Sequence, residues 1–166
     1  NPSKVTISDD ISDSAMIQTS IGQGTTQMSP LHLAMITGMI ANDGKMMVPY
    51  MIDYVETANG TVIKRFEPKM IGQLIEPSEA LALRELMISV VEDGTGTRLQ
   101  SEHYKAAGKT GTAEFSNSTS ESHAWFTAFS YDTDNPLQVT VIVEGVGSGG
   151  EYAVPIARQI FDEYYS

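Results

Sequence analysis

Residues 77–93 carry Leu81, Leu83, Leu86, Met87, Val90 and Val91 as a wide apolar stripe at helical spacing, with Asp93-Gly94 as a C-terminal stop. The pattern predicts an amphipathic helix. A second helix is predicted to begin at Ser29-Pro30, where a hydroxyl can cap free N–H groups and a proline fits the first helical position. It continues through Leu31, Ala34, Met35, Gly38 and Met39 and stops at Asn42-Asp43-Gly44. Elsewhere the period drops towards two. Residues 48–56 and 61–66 are β-prone and joined through Asn59-Gly60, a dipeptide suited to a tight hairpin turn. Residues 104–114, 123–131 and 137–146 read as three further strands, the last two separated by Asp132-Thr133-Asp134-Asn135-Pro136. Connections this short cannot make a parallel crossover, so an antiparallel meander is expected. Residues 151–165 then place Val154, Ile156, Ala157, Ile160 and Phe161 to lay a closing helix on that sheet.

These elements predict an α+β fold, a three-stranded antiparallel meander packed with helices, within a single domain spanning residues 1–166. The first two dozen residues are rich in Ser, Thr, Asp and Gly and predict a surface loop, with residues 1–20 lacking fixed order. No internal repeat is visible. The methionines, Met35, Met39, Met46, Met47 and Met87 among them, read as core gap-fillers.

A formal net charge of −11 would repel phosphate backbones, which argues against a nucleic-acid partner. Without cysteine there is neither a disulfide framework nor a thiolate metal site, and His32, His103 and His123 show no paired metal spacing. No metal or cofactor is expected. The most apolar run, residues 31–41, is far shorter than the ~20 residues that span a bilayer. The start at Asn1-Pro2, without initiator Met or apolar leader, reads as an internal piece of a longer chain.

The chemistry concentrates in Gly108-Lys109-Thr110-Gly111-Thr112, where polar residues and glycines are poor choices for a purely structural strand. Thr110 and Thr112 would project to one face, offering two hydroxyl donors to the oxygens of a single carboxylate, and Lys109 would add a neutralising charge. Gly111 would leave room for a ligand backbone lying along the strand. Strict alternation sets Lys109 on the face opposite the threonines, so its stem either curls around the strand edge or serves a group on the other side. In isolation the Lys-Thr-Gly tripeptide reads first as an ordinary turn or strand end with a solvated lysine. Residues 115–122, which follow directly, read as a polar linker, and Trp125 and Phe126 as sheet packing.

Order and spacing of several segments widen the match. They are Ile21-Gly22-Gln23-Gly24, Ser29-Pro30-Leu31, Ile40-Ala41-Asn42-Asp43-Gly44, Val90-Val91-Glu92-Asp93-Gly94-Thr95-Gly96-Thr97, residues 107–114, His123-Ala124-Trp125-Phe126 and Ala153-Val154-Pro155-Ile156-Ala157. With them the chain resembles, from about Ser20 to Phe161, the C-terminal part of the transpeptidase domain of class B penicillin-binding proteins, in the serine transpeptidase and β-lactamase-like superfamily. The resemblance implies that Lys109 helps to position the catalytic hydroxyls and the substrate carboxylate. It implies that the Thr110 and Thr112 hydroxyls hold the terminal carboxylate of D-Ala-D-Ala or a β-lactam, that Gly111 keeps the edge clear, and that the Thr112 N–H forms half of an oxyanion hole.

The family's other motifs are absent: no Ser is followed three residues later by Lys, and there is no Ser-x-Asn. Both are expected upstream in the same domain, and this chain alone is expected to be inactive. By resemblance the parent cross-links peptidoglycan stem peptides, is acylated by β-lactams, and works at the extracytoplasmic face of the bacterial membrane through an N-terminal anchor. The alternative is a non-catalytic penicillin- or peptidoglycan-binding module, or a β-lactam sensor.

Overall fold

In the computed structural model, which describes residues 2–114 and 122–166, the elements follow in the order α1 (Asp13–Ser20), α2 (Pro30–Ala41), β1 (Lys45–Met47), β2 (Tyr54–Glu56), β3 (Val62–Arg65), β4 (Met70–Gln73), α3 (Pro77–Glu92), β5 (Lys105–Glu114), β6 (Ser122–Tyr131), β7 (Gln138–Val143) and α4 (Gly149–Tyr164). The expected α+β architecture is present, with the meander forming a three-stranded antiparallel sheet in the order β5-β6-β7. The helix starts behave as their sequences predict. The Ser29 hydroxyl accepts from the His32 N–H at 3.2 Å, and the Glu79 carboxylate accepts from the Glu76 N–H at 2.9 Å just before Pro77.

β6 is the central strand, and helices cover both faces of its sheet. Its register runs from Lys105↔Tyr131 to Glu114↔Ser122 against β5 and from Ala124↔Val143 to Phe129↔Gln138 against β7. Alternation sends Ala124, Phe126 and Ala128 to one face, where with Val139 and Val141 they meet Ala153, Val154, Ala157 and Phe161 of α4. The opposite face presents Ala107 and Phe129 to Met39, Ile40, Met46 and Met87. The buried hydroxyl of Thr127 on that face is shared with Thr37 of α2 and Thr140 of β7, each at 2.8 Å, so its burial leaves no unpaired polar atom. Gly108 has a packing role, because a Cβ there would stand 2.6 Å from the Phe126 ring.

Helix α4 approaches the sheet unusually closely at its first residue. A Cβ on Gly149 would overlap the Trp125 carbonyl oxygen and lie 2.6 Å from that of Gly111, so only glycine fits. Pro155, inside the helix, cannot donate to the Glu151 carbonyl one turn back. Arg98 replaces that bond, its guanidinium donating to the Glu151 carbonyl at 3.3 Å. Further along, Arg158 pairs with Asp162 at 2.6 Å and donates to the Arg98 and Gln100 carbonyls, while the Tyr104 hydroxyl donates to Asp162 at 3.0 Å. The Arg158 hydrogen bond is the main cause holding the Asp162 carboxyl below its ordinary range, and burial drives the Tyr104 hydroxyl upward.

Three features depart from the periodicity reading. The first β-prone run yields only β2 in the hairpin, because Pro49 removes an N–H near its start; β2 and β3 still pair, from Tyr54↔Arg65, around a turn with Gly60 at φ 83°. β1 and β4 pair antiparallel across the hairpin, a partnership between short segments that no local pattern announces. Within residues 1–20, read as a loop without fixed order, Ser12 caps α1 by accepting from the Ala15 N–H at 3.3 Å, and an isolated bridge joins Lys4 to Gln27. No residue of α1 is buried. Asn1 and residues 115–121, which contain most of the expected polar linker, lie outside the described residues.

Gly149→Ala is expected to destabilise the fold by about 1–3 kcal/mol or more, since backbone on both sides must move; equilibrium unfolding in urea measures this. Asp162 is more acidic folded than unfolded, so its contribution is present above about pH 4 and lost as pH falls through the folded value. Asp162→Asn is therefore expected to flatten the acid limb of stability against pH, read from urea midpoints between about pH 5 and pH 2.

Candidate active-site edge

Lys109, Thr110, Gly111 and Thr112 lie together in the middle of β5, which among the described residues pairs only with β6 and leaves its other edge open. Which backbone groups face that edge follows from the register. The Ser130 N–H bonds to the Leu137 carbonyl at 2.9 Å, so the even-numbered residues of β6 turn their amides towards β7 and the odd-numbered ones towards β5. Thr127 and Trp125 face Lys109 and Gly111, which leaves the N–H and C=O of Thr110 and Thr112 directed outward. Two side chains reach those outward carbonyls. Lys109 Nζ donates to the Thr110 oxygen at 2.8 Å, and Gln23 Nε2 donates to the Thr112 oxygen at 3.1 Å.

The side-chain geometry resolves the alternatives for Lys109. Its Cβ shares a face with Gly111 and with Thr127 of β6, away from the threonines, but its stem curls around the edge and brings the ammonium back to the Thr110 carbonyl. Thr110 and Thr112 share the opposite face, in register with Phe126 and Ala124. The Thr110 hydroxyl pairs with that of Thr95 at 2.6 Å. Thr95 sits in the Gly94-Thr95-Gly96-Thr97 turn after α3, held by the Gly96 N–H on the Val90 carbonyl at 2.9 Å and pressed against Gly150, where a Cβ would stand 2.9 Å from its carbonyl oxygen.

The open edge borders a cleft of about 320 Å³ whose walls include Gln23, Thr26, Met28, Lys109, Thr112 and Trp125. The Thr26 hydroxyl is buried without a hydrogen-bond partner among the described residues. A concave site with a cation, a row of outward amides and hydroxyls above a strand edge suits an extended peptide ending in a carboxylate. Local sequence reading missed Gln23 and Thr95. Their signal was polar residues set singly between glycines, Gly22-Gln23-Gly24 and Gly94-Thr95-Gly96, each within a segment already quoted for the family likeness.

A family model described as the penicillin binding protein transpeptidase domain matches residues 2–162. The chain is 36% identical over 168 aligned residues to the peptidoglycan D,D-transpeptidase MrdA of Haemophilus influenzae, covering 89% of this chain and 25% of that protein. It is 32% identical to the peptidoglycan D,D-transpeptidase PbpA of Mycolicibacterium smegmatis, covering 87% of this chain and 30% of the relative. Among solved structures, penicillin-binding protein A of Mycobacterium tuberculosis superposes with a TM-score of 0.83 at 30% identity, covering 96% of this chain and 39% of the other. Its ceftriaxone acyl-enzyme complex gives 0.77, covering 87% and 34%. The chain thus spans between a quarter and a third of the length of these curated relatives.

A double-mutant cycle with Thr95→Val and Thr110→Val is expected to give a coupling of about 0.5–1.5 kcal/mol by urea unfolding, the worth of one neutral hydrogen bond. Additive losses would show that the two hydroxyls do not interact in solution.

Proposed function

The chain belongs to the penicillin-binding protein transpeptidase family, and from that premise we propose that it forms the substrate-anchoring part of a peptidoglycan D,D-transpeptidase. The observation that carries this reading is the pair of outward-facing backbone positions at Thr110 and Thr112, with Lys109 curled onto that edge and a cleft in front. A stem peptide ending in D-Ala-D-Ala lies antiparallel along β5. Its terminal carboxylate takes hydrogen bonds from the Thr110 and Thr112 hydroxyls and is neutralised by Lys109. A hydroxyl donates once and accepts twice, so Thr110 can accept from Thr95 while donating to the carboxylate.

The Thr112 N–H, directed to the open edge, points at the carbonyl oxygen of the penultimate D-alanine. There it stabilises the developing oxyanion, a donor worth roughly 10²–10³ in rate where such groups have been removed. The nucleophile is a serine in the upstream part of the same domain, since this chain contains no Ser-x-x-Lys. The serine oxygen attacks that carbonyl carbon, the amide C–N bond breaks, and D-alanine leaves with the proton. An amine on a neighbouring stem then attacks the ester, the C–O bond breaks, and the serine regains its proton. β-Lactams acylate the same serine. On its own the chain has no nucleophile to acylate and is inactive.

The exposed apolar side chains Met16, Ile17 and Ile21 near α1 and Leu31 on α2 support packing of the upstream part beside the cleft. The parent works at the extracytoplasmic face of the bacterial membrane, held by an N-terminal anchor. The rival reading is a module that binds penicillin or peptidoglycan without turning it over.

Incubation with a fluorescent penicillin, followed by denaturing electrophoresis, separates these readings. Covalent label is expected on a chain extended upstream through the serine and none on residues 1–166 alone. Label on the short chain would place a nucleophile within it, and no label on either would favour the non-catalytic module.

A further inference from the structure

Gln23 is placed with care. It stands between Gly22 at φ 77° and Gly24 at φ 71°, left-handed conformations that side-chain-bearing residues adopt at a cost. Its own N–H bonds to the Gln18 carbonyl at 2.8 Å, and the segment is tied at its far end by the Lys4 and Gln27 bridge. This turn aims a half-buried carboxamide across the cleft, so that Nε2 reaches the carbonyl of Thr112, a residue 89 positions further along the chain. The acceptor it meets is unusual. In an antiparallel pair one residue exchanges both its N–H and its C=O with the facing strand, so a peptide seated on β5 with its carbonyl on the Thr112 N–H presents an amide N–H to the Thr112 C=O. Gln23 holds that position with the same chemical group, an amide N–H.

We propose that Gln23 is a specificity-determining residue of this site, a displaceable stand-in that occupies the Thr112 carbonyl until a ligand amide takes its place. The proposal rests on the transpeptidase reading above. Two consequences follow from the chemistry. While Gln23 is bound, the outward carbonyl of Thr112 has a fixed donor in place of solvent, beside the Met28 and Trp125 wall of the cleft. A ligand with an amide N–H at this register exchanges one hydrogen bond for another, whereas a ligand without one leaves Gln23 in place. The carboxamide therefore narrows the advantage that amide-bearing ligands would otherwise have.

The experiment uses the full-length parent and two β-lactams, benzylpenicillin, whose acylamino N–H lies beside the reacting carbonyl, and imipenem, which has a hydroxyethyl group there instead. Second-order acylation rates are measured for wild type, Gln23→Ala and Gln23→Met, the latter keeping the length while removing the donor. The readout is the ratio of the benzylpenicillin rate to the imipenem rate, which a general loosening of the fold does not raise. The ratio is expected to rise about two- to tenfold in both variants, the range set by releasing one hydrogen bond. An unchanged or lower ratio in either folded variant would overturn the proposal, since Gln23 would then be a fixed support of the edge or a bystander. If the wild-type parent is acylated by neither drug, the transpeptidase reading itself falls and this inference with it.

Discussion

Burial of β6 on both faces and pairing on both edges is the constraint from which the other features follow. A strand in that position has no freedom to slip, because a shift of one residue would turn Phe126 and Ala128 out of the α4 core and drive Thr127 into it. With the phase of β6 settled, the phase of β5 is settled too. The same register that sends Ala107 towards α2 and α3 turns the amides of Thr110 and Thr112 to the open side. The orientation of the open β5 edge is thus a by-product of core packing.

Helix α4 binds core and site together. Its first residue touches the backbone of Gly111 and Trp125, and its second presses on the Thr95 carbonyl, so the seating of the helix bears on both β5 and the turn that orients the Thr110 hydroxyl. The helix is fixed by polar contacts as well as by its apolar face. Arg98 supplies the donor that Pro155 lacks, and Arg158, Asp162 and Tyr104 lock the later turns to the segment before β5. The ion pair is half-exposed and worth little by itself. Its role is geometric, because the same guanidinium also satisfies the carbonyls of Arg98 and Gln100.

The cleft owes its chemistry to segments far apart in the chain. Lys109 and the threonines come from one strand, but the partner of the Thr110 hydroxyl comes from the turn after α3, and the partner of the Thr112 carbonyl from a glycine-flanked turn before α2. Both partners are uncharged: Thr95 meets the Thr110 hydroxyl on the sheet face, and Gln23 meets a backbone carbonyl at the open edge. That arrangement orders the edge without adding charge beside Lys109.

Helical stripes, the Ser29-Pro30 and Asp93-Gly94 signals, the Asn59-Gly60 turn and the period-two meander were legible because each is a local property, decided by residues within one or two turns of each other. So was the Lys109-Thr110-Gly111-Thr112 segment, whose composition is wrong for a merely structural strand. The pairing of β1 with β4, the capped helix within residues 13–20, the reach of Gln23 and the bond between Thr95 and Thr110 were not legible, because each depends on where a distant segment lies. The path of Lys109 shows the division most clearly. Alternation along the strand determined which face its Cβ takes, and only the tertiary structure, by leaving the β5 edge open, decided that its long stem turns back across that edge to the Thr110 carbonyl.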